Sequence, residues 1–283
     1  MKYLSNGLSE EIRRKLEFLK SEDEPKIILG CRNLRDQEIR ENARVNSFRI
    51  EYPSTESLQF IQKSKDRRTF MEKGIKNSKS AYNWGKENFN PDNLDEYFIR
   101  ELAYRILPEI YVGNIANYRE SGTRITGAST IPPDPYKVRI EMPKFVNALR
   151  KGLQSTDQID GIKTALFAHL HLDRIHPFPD GNGRTSRALQ DLILGYNEIP
   201  VPIINAGERD TYFTCLDRAI YDWKQKKNSI EINQGATEGE NLFYTFMAGK
   251  INISLDIILE KCALHKPVTK RNSARHPTIT LVD

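Results

Sequence analysis

The sequence predicts an all-α fold with one short β-hairpin, and three observations carry that prediction. Apolar residues recur at three- and four-residue steps through most of the 283 residues, which is the signature of amphipathic helices. Prolines and glycine clusters punctuate those stretches. Only residues 123–131 read as a strand pair.

Taken in order, Leu8, Ile12, Leu16 and Leu19 mark a first helix, and Leu34, Ile39, Val45 and Ile50 a second that ends before Pro53. Residues 58–77 are polar and Lys-rich but free of proline, which favours a more exposed helix or a helix pair. The Asn90-Pro91-Asp92 cluster breaks the pattern, and a helix over 94–107 opens a new unit that stops at Pro108. Next come Arg124, Ile125 and Thr126, a Gly127-Ala128-Ser129 turn, then Thr130 and Ile131 before two prolines: the expected hairpin. Helices resume over 143–153 and 160–172, stop at His176-Pro177, restart over 184–196, and continue over 209–226 and 242–265. The expected division is an N-terminal helical region at 1–93, a core at 94–225, and a C-terminal helical segment with a basic tail at 226–283.

Composition narrows the function classes. Hydrophobic residues make up 38% and charged residues 29%. No run approaches the roughly 18 uninterrupted apolar residues that a membrane span needs. The N-terminal segment alternates apolar and charged residues and lacks the apolar block of a secretory signal. A cytosolic location is expected, with a host-delivered effector as the alternative. Net charge is +5, but the excess is not gathered on an aromatic-studded stretch, so nucleic acid is not the expected partner. Part of it lies in the basic, proline-bearing segment 265–277, which reads as a solvated tail. Cys31, Cys215 and Cys262 form no C-x-x-C pair, which argues against a zinc site or a disulfide framework.

Chemistry concentrates in the run His176-Pro177-Phe178-Pro179-Asp180-Gly181-Asn182-Gly183-Arg184-Thr185-Ser186-Arg187. Two glycines allow positive φ, so successive backbone N–H groups can converge on one anion. The N-terminus of the following helix adds partial positive charge. Arg184 and Arg187, three apart, share one face of that helix. These parts make a polyphosphate cradle. Asp180 offers one hard oxygen ligand, enough for Mg²⁺ that also binds phosphate and water. His176 is the nearby group suited to general-base work near neutral pH. His169 and His171 lie two apart on a helix and point in different directions, so they read as structural. The two glycines lack a third and a preceding strand, so a dinucleotide fold is not supported.

The run resembles the signature HxFx(D/E)GNGRxxR of the Fic family, matching it at all specified positions. The resemblance extends more loosely from about Phe98 to Asp222, through Tyr118-Arg119, Pro132-Pro133 and Arg209-x-x-Tyr212. It implies a protein adenylyltransferase that moves AMP from ATP, with Mg²⁺, to a Ser, Thr or Tyr hydroxyl of a target protein. His176 would deprotonate that hydroxyl and Asp180 would hold Mg²⁺. The Gly181-Asn182-Gly183 backbone, with the Asn182 side chain, would stabilise the α-phosphate. Arg184 and Arg187 would contact the β- and γ-phosphates, and Phe178 would point inward to anchor the loop. Tyr212 would serve either core packing or adenine contact. The hairpin, through Arg124, Ile125 and Thr126, resembles a flap that registers an extended target segment.

Many members of this family carry an inhibitory helix, (S/T)xxxE(G/N), whose glutamate pairs with the second arginine of the signature. Ser47-Phe48-Arg49-Ile50-Glu51-Tyr52 looks like that pattern, departing at its last position. The resemblance implies that Glu51, four after Ser47, restrains the enzyme through Arg187. Two alternatives stand beside AMP transfer: removal of AMP, or transfer of another phosphate-containing group, on the same fold; and a non-enzymatic toxin–antitoxin or partner-binding module. A homo-oligomer is compatible with every one of these readings.

Overall fold

The computed structural model describes residues 2–20, 26–52, 67–125 and 128–264. Among them the secondary structure is helical: α1 (Asn6–Lys20), α2 (Lys26–Glu51), α3 (Arg67–Asn88), α4 (Glu96–Ile106), α5 (Pro135–Gly152), α6 (Gln158–Ile175), α7 (Asn182–Tyr196), α8 (Arg209–Lys226) and α9 (Glu238–Leu264). Short 3₁₀ turns follow proline or asparagine at Pro91–Asn93, Pro108–Ile110 and Ala206–Glu208. The all-α expectation is met. The basic tail at 265–277, the first nine residues of the stretch 58–77, and Thr126 of the hairpin lie outside the described residues.

Local chemistry explains where the helices begin. The Asp95 carboxylate accepts from the Phe98 N–H at 2.8 Å, and Asp157 accepts from the N–H groups of Ile159 and Asp160, so each caps its helix. Pro135 opens α5 at a position where no N–H is needed. Pro143, expected to start that helix, sits inside it; the helix begins earlier, at Pro135, which already supplies the start. α4 buries Phe98, Ile99, Leu102, Ala103 and Ile106, the one-sided spacing of a helix laid on a core. α6 is buried from Ile159 through Ile175 with few breaks, as befits the central helix.

α6 packs on α7, and α8 on α9, with α4 and α5 flanking the first pair and α1, α2 and α3 laid across α9 and α7. One contiguous apolar core runs from Leu4 to Ile258. α9 is apolar enough over Glu238–Glu260 to span a membrane by length and composition, with mean hydropathy 1.4. Its Phe243, Tyr244, Met247, Ala248, Ile251 and Leu255 are buried in this core. Glycine matters where helices approach closely: a Cβ at Gly74 of α3 would lie 2.0 Å from the Phe48 ring of α2. That approach sets the end of α2 against α7.

The hairpin is a correction. Residues 123–125 and 128–131 form no strand. Two three-residue segments cannot hold a ladder alone, and the chain satisfies its polar groups elsewhere. The Asp217 carboxylate of α8 accepts from the backbone N–H and hydroxyl of both Ser129 and Thr130, at 2.6–3.1 Å. Lys224 donates to the Ile131 carbonyl at 2.7 Å.

Candidate active site

His176 caps the C-terminus of α6 in the left-handed conformation, φ 51° and ψ 57°. That geometry is costly for a residue with a Cβ, about 1–3 kcal/mol, and persists only where surroundings hold it. Two holds are visible. Its backbone N–H donates to Leu172 O at 2.9 Å, and its carbonyl accepts from Arg119 Nε at 2.7 Å. The imidazole is half-buried, with Nδ1 3.3 Å from Asp173 O. Burial keeps its pKa below the ordinary histidine value, although the Asp173 and Glu51 carboxylates oppose the shift. The ring is therefore neutral near pH 7 and able to take a proton.

The chain then turns through Phe178, fully buried and 6.0 Å ring to ring from Tyr118, as the inward anchor expected for it. Gly181 takes φ 79° at the head of α7, where a side chain would be strained. The N–H groups of the first turn of α7 have no partners within the helix and face the loop. Asp180 stands beside them with its side chain 59% exposed, its Oδ1 accepting from Gly181 N–H at 2.5 Å and lying 3.7 Å from Arg184. Among the described residues no group of three metal-ligating side chains gathers. A single accessible carboxylate beside a phosphate cradle does fit Mg²⁺, which takes its other ligands from phosphate and water.

Two side chains considered for nucleotide contact, Asn182 and Tyr212, make protein contacts in this structure. The Asn182 side chain, 2% exposed, accepts from Phe178 N–H and donates to Phe178 O, each at 2.8 Å. It closes the loop on itself, leaving only its backbone for an anion. Tyr212 is fully buried: its hydroxyl lies 2.8 Å from His169 Nε2 and accepts from Arg187 Nη1 at 3.1 Å. His169 Nδ1 pairs with Gln190 Oε1 at 2.8 Å, so histidine and tyrosine belong to one buried network. That network is structural, as expected for His169, and no face of Tyr212 is left for a base.

The same network ends on Ser47 and Glu51 of α2. Arg187 donates through Nε to Ser47 Oγ at 2.7 Å, and through Nη2 to Ser47 O at 3.1 Å and Glu51 Oε1 at 2.6 Å. With Tyr212 on Nη1, all three guanidinium nitrogens are occupied. Burial works against this charge, yet Tyr212 and Glu51 leave the Arg187 pKa raised. Glu51 also lies on the cradle itself, since a Cβ at Gly183 would come within 2.4 Å of its Oε1. A carboxylate thus occupies the N-terminus of α7, the place built for an anion. α2 is fixed there by Arg209 of α8, which donates to Ile50 O at 2.8 Å.

Tyr52, where the signature departs, contributes a contact of its own. Its hydroxyl accepts from Arg184 Nη2 at 3.3 Å, and its ring packs against Phe48 and Phe70 at 4.9 and 5.3 Å. Burial pushes its pKa up to about 12. Neither Arg119, Arg209 nor Tyr52 was legible as a site residue, because each acts on backbone or side chains far away in sequence. Arg124 is exposed and Ile125 half-buried. An open groove of about 560 Å³ runs from Ser129 along Arg209, Phe213 and Asp217 of α8. A larger cavity, about 700 Å³, lies between α2, α3 and the C-terminal end of α7, away from His176.

Comparison with known proteins agrees with this geometry. Residues 93–194 match the family model described as the Fic/DOC family. A probable protein adenylyltransferase of Aquifex aeolicus is 29% identical over 149 residues, 50% of this chain and 42% of that protein. Protein adenylyltransferase Fic of Nematostella vectensis is 33% identical over 123 residues, 43% of this chain and 27% of that protein. The chain thus spans less than half the length of these relatives. A Fic domain containing signaling protein from Bacteroides thetaiotaomicron has the same fold across nearly all of both chains, with TM-score 0.66, 21% identity, and coverage of 92% and 98%. Residues 93–194, which hold the whole loop from His176 to Arg187, are thus the part of the chain that is similar to the Fic/DOC family.

Proposed function

We propose that this protein transfers AMP from ATP to a side-chain hydroxyl of a target protein, and that Glu51 restrains it in the form described here. The observation that carries the reading is the position of a half-buried His176, its pKa lowered by burial, at the end of α6, one short loop before the anion cradle that opens α7.

In this reaction His176 accepts the proton of the target hydroxyl while that oxygen attacks the ATP α-phosphorus. A P–O bond forms to the target, the bond to the β-phosphate oxygen breaks, and pyrophosphate leaves. The backbone N–H groups at the start of α7 meet the charge that develops on the α-phosphate oxygens. Arg184 and Arg187, on one face of α7, hold the outer phosphates once Tyr52 and Glu51 release them. Asp180 would hold Mg²⁺, which supplies charge neutralisation of the polyphosphate when bound. Ser129 lines the groove along α8, and the segment it belongs to would offer main-chain groups to an extended target segment.

Incubating the Glu51→Gly variant and a cell lysate with ATP labelled at the α- or the γ-phosphate tests this. Label from the α position on protein, with none from the γ position, is the expected result. Transfer of γ label indicates phosphoryl transfer instead, and labelling from neither position overturns the reading.

A further inference from the structure

Arg119 lies on the loop between α4 and α5, 57 residues before His176, and is 5% exposed. No carboxylate lies within ion-pair distance of it among the described residues. Its guanidinium is spent instead on three backbone carbonyls. Nε donates to His176 O at 2.7 Å, Nη1 to Ser121 O at 3.0 Å, and Nη2 to Pro133 O. The Arg119 N–H adds a fourth bond, to Pro177 O at 2.9 Å.

The choice of acceptors is informative. Ser121 and Pro133 bracket the segment 123–131, and His176 is the left-handed residue whose backbone needs holding. A planar fork with five donors can bind carbonyls in three directions at once, which lysine cannot do. A buried guanidinium without a carboxylate is a costly group to place, and burial lowers its pKa. A core cross-link between loops could be made more cheaply with a neutral side chain.

We propose that Arg119 is a positioning residue that couples the target-docking segment to the backbone of His176, so that seating a target on residues 123–131 and aiming the imidazole are one mechanical event. This rests on the reading that His176 is the base and that residues 123–131 face the target. Other charged groups near the imidazole are Asp173 of α6 and Glu51 of α2; Arg119 is the cation among them. Nothing in the coupling touches the phosphates, so nucleotide affinity is independent of it.

The test uses the full chain carrying Glu51→Gly, with Arg119→Ala or Arg119→Lys added, and measures three quantities: AMP-transfer kcat, ATP affinity by calorimetry, and amide hydrogen exchange across 121–133 and 176–178. Arg119→Ala lowers kcat by about tenfold to a hundredfold, the effect of ångström-scale misplacement. ATP affinity stays within about twofold, the scale of less than one hydrogen bond. Exchange rises together in both segments, and Arg119→Lys recovers part of the kcat. Unchanged kcat, or ATP affinity falling in step with it, overturns the proposal in favour of general loop support. If Arg119→Ala does not fold, Arg119→Lys decides, since it keeps the charge and loses the three-way fork. If the Glu51→Gly parent transfers no AMP, the functional reading fails; exchange rising in both segments together still supports the coupling, and exchange confined to one overturns it.

Discussion

Glu51 Oε1 lies 2.6 Å from Arg187 Nη2, joining the last turn of α2 to the first turns of α7 across 136 residues of sequence. The arginine side chain is 6% exposed and the glutamate 28%, so the pair is largely withdrawn from water. With Ser47 and Tyr212 on the remaining nitrogens, four of the five Arg187 N–H donors are taken, and the Glu51 carboxylate stands against the group proposed for the γ-phosphate. In the proposed reaction, ATP entering this form would have to leave its outer phosphates displaced, and the α-phosphorus with them.

Glu51→Gly is expected to raise AMP transfer by about two orders of magnitude, the cost of ångström-scale misalignment. Glu51→Asp raises it less, because the shorter side chain reaches the guanidinium poorly. Adding Arg187→Ala to Glu51→Gly removes most of the gain. Quantifying labelled AMP on protein in wild type and the three variants checks all three statements, and equal rates in wild type and Glu51→Gly would falsify the inhibitory role.

His176→Ala in the Glu51→Gly background abolishes transfer and leaves ATP binding nearly intact, because it removes proton acceptance and not the phosphate contacts. The pH profile gives a second reading. Burial holds the His176 pKa below the ordinary 6.5, so the neutral base predominates at pH 7. The rate is flat from about pH 7 to 8 and falls with acid only below the usual histidine range. The same sign applies to folding: the neutral form is favoured in the native state, so this group's contribution is intact above about 6.5 and is lost on acidification. A rate that falls steeply between pH 8 and 7 contradicts the assignment.

Tyr52→Ala frees Arg184 of its hydroxyl contact at 3.3 Å and of the ring beside it. Apparent ATP affinity is expected to rise about two- to tenfold, the worth of one ordinary hydrogen bond. Tyr52→Phe gives a smaller rise, because the ring still packs on Phe48 and Phe70. Titration of nucleotide by calorimetry separates the two; unchanged affinity in Tyr52→Ala removes Tyr52 from the restraint.

Tyr212→Phe leaves His169 Nε2 and Arg187 Nη1 without their buried partner. A loss of about 1–3 kcal/mol in unfolding free energy is expected, the cost of an unsatisfied buried group. An adenine contact predicts a different outcome: weaker binding of ATP relative to GTP at unchanged stability. Chemical denaturation and nucleotide competition together distinguish the two.

Several features were legible because their physics is local. The prolines that bound α4, Pro91 before it and Pro108 after it, and the glycines on either side of Asn182 all act within a turn or two of themselves. The loop from His176 to Arg187 is one contiguous run, so its backbone shape and its charges could be read directly. Ser47 and Glu51 were legible as a spacing, and that spacing puts both on one face of α2.

The tertiary structure alone decided what those faces meet. Whether Glu51 reaches Arg187 depends on Gly74 letting α3 close on Phe48, and on Arg209 holding the end of α2, neither of which has a signal near Glu51. Tyr212 could be a nucleotide contact or a core residue until α8 placed its hydroxyl between His169 and Arg187. Asn182 looked like a phosphate ligand until the loop turned its amide back on Phe178. Residues 123–131 looked like a hairpin until Asp217, 87 and 88 residues away from Thr130 and Ser129, took their hydrogen bonds. A sequence fixes which polar groups must find partners, because an unpaired buried group is costly; which partner each finds is settled by packing between segments far apart in the chain, where spacing along the sequence carries no information.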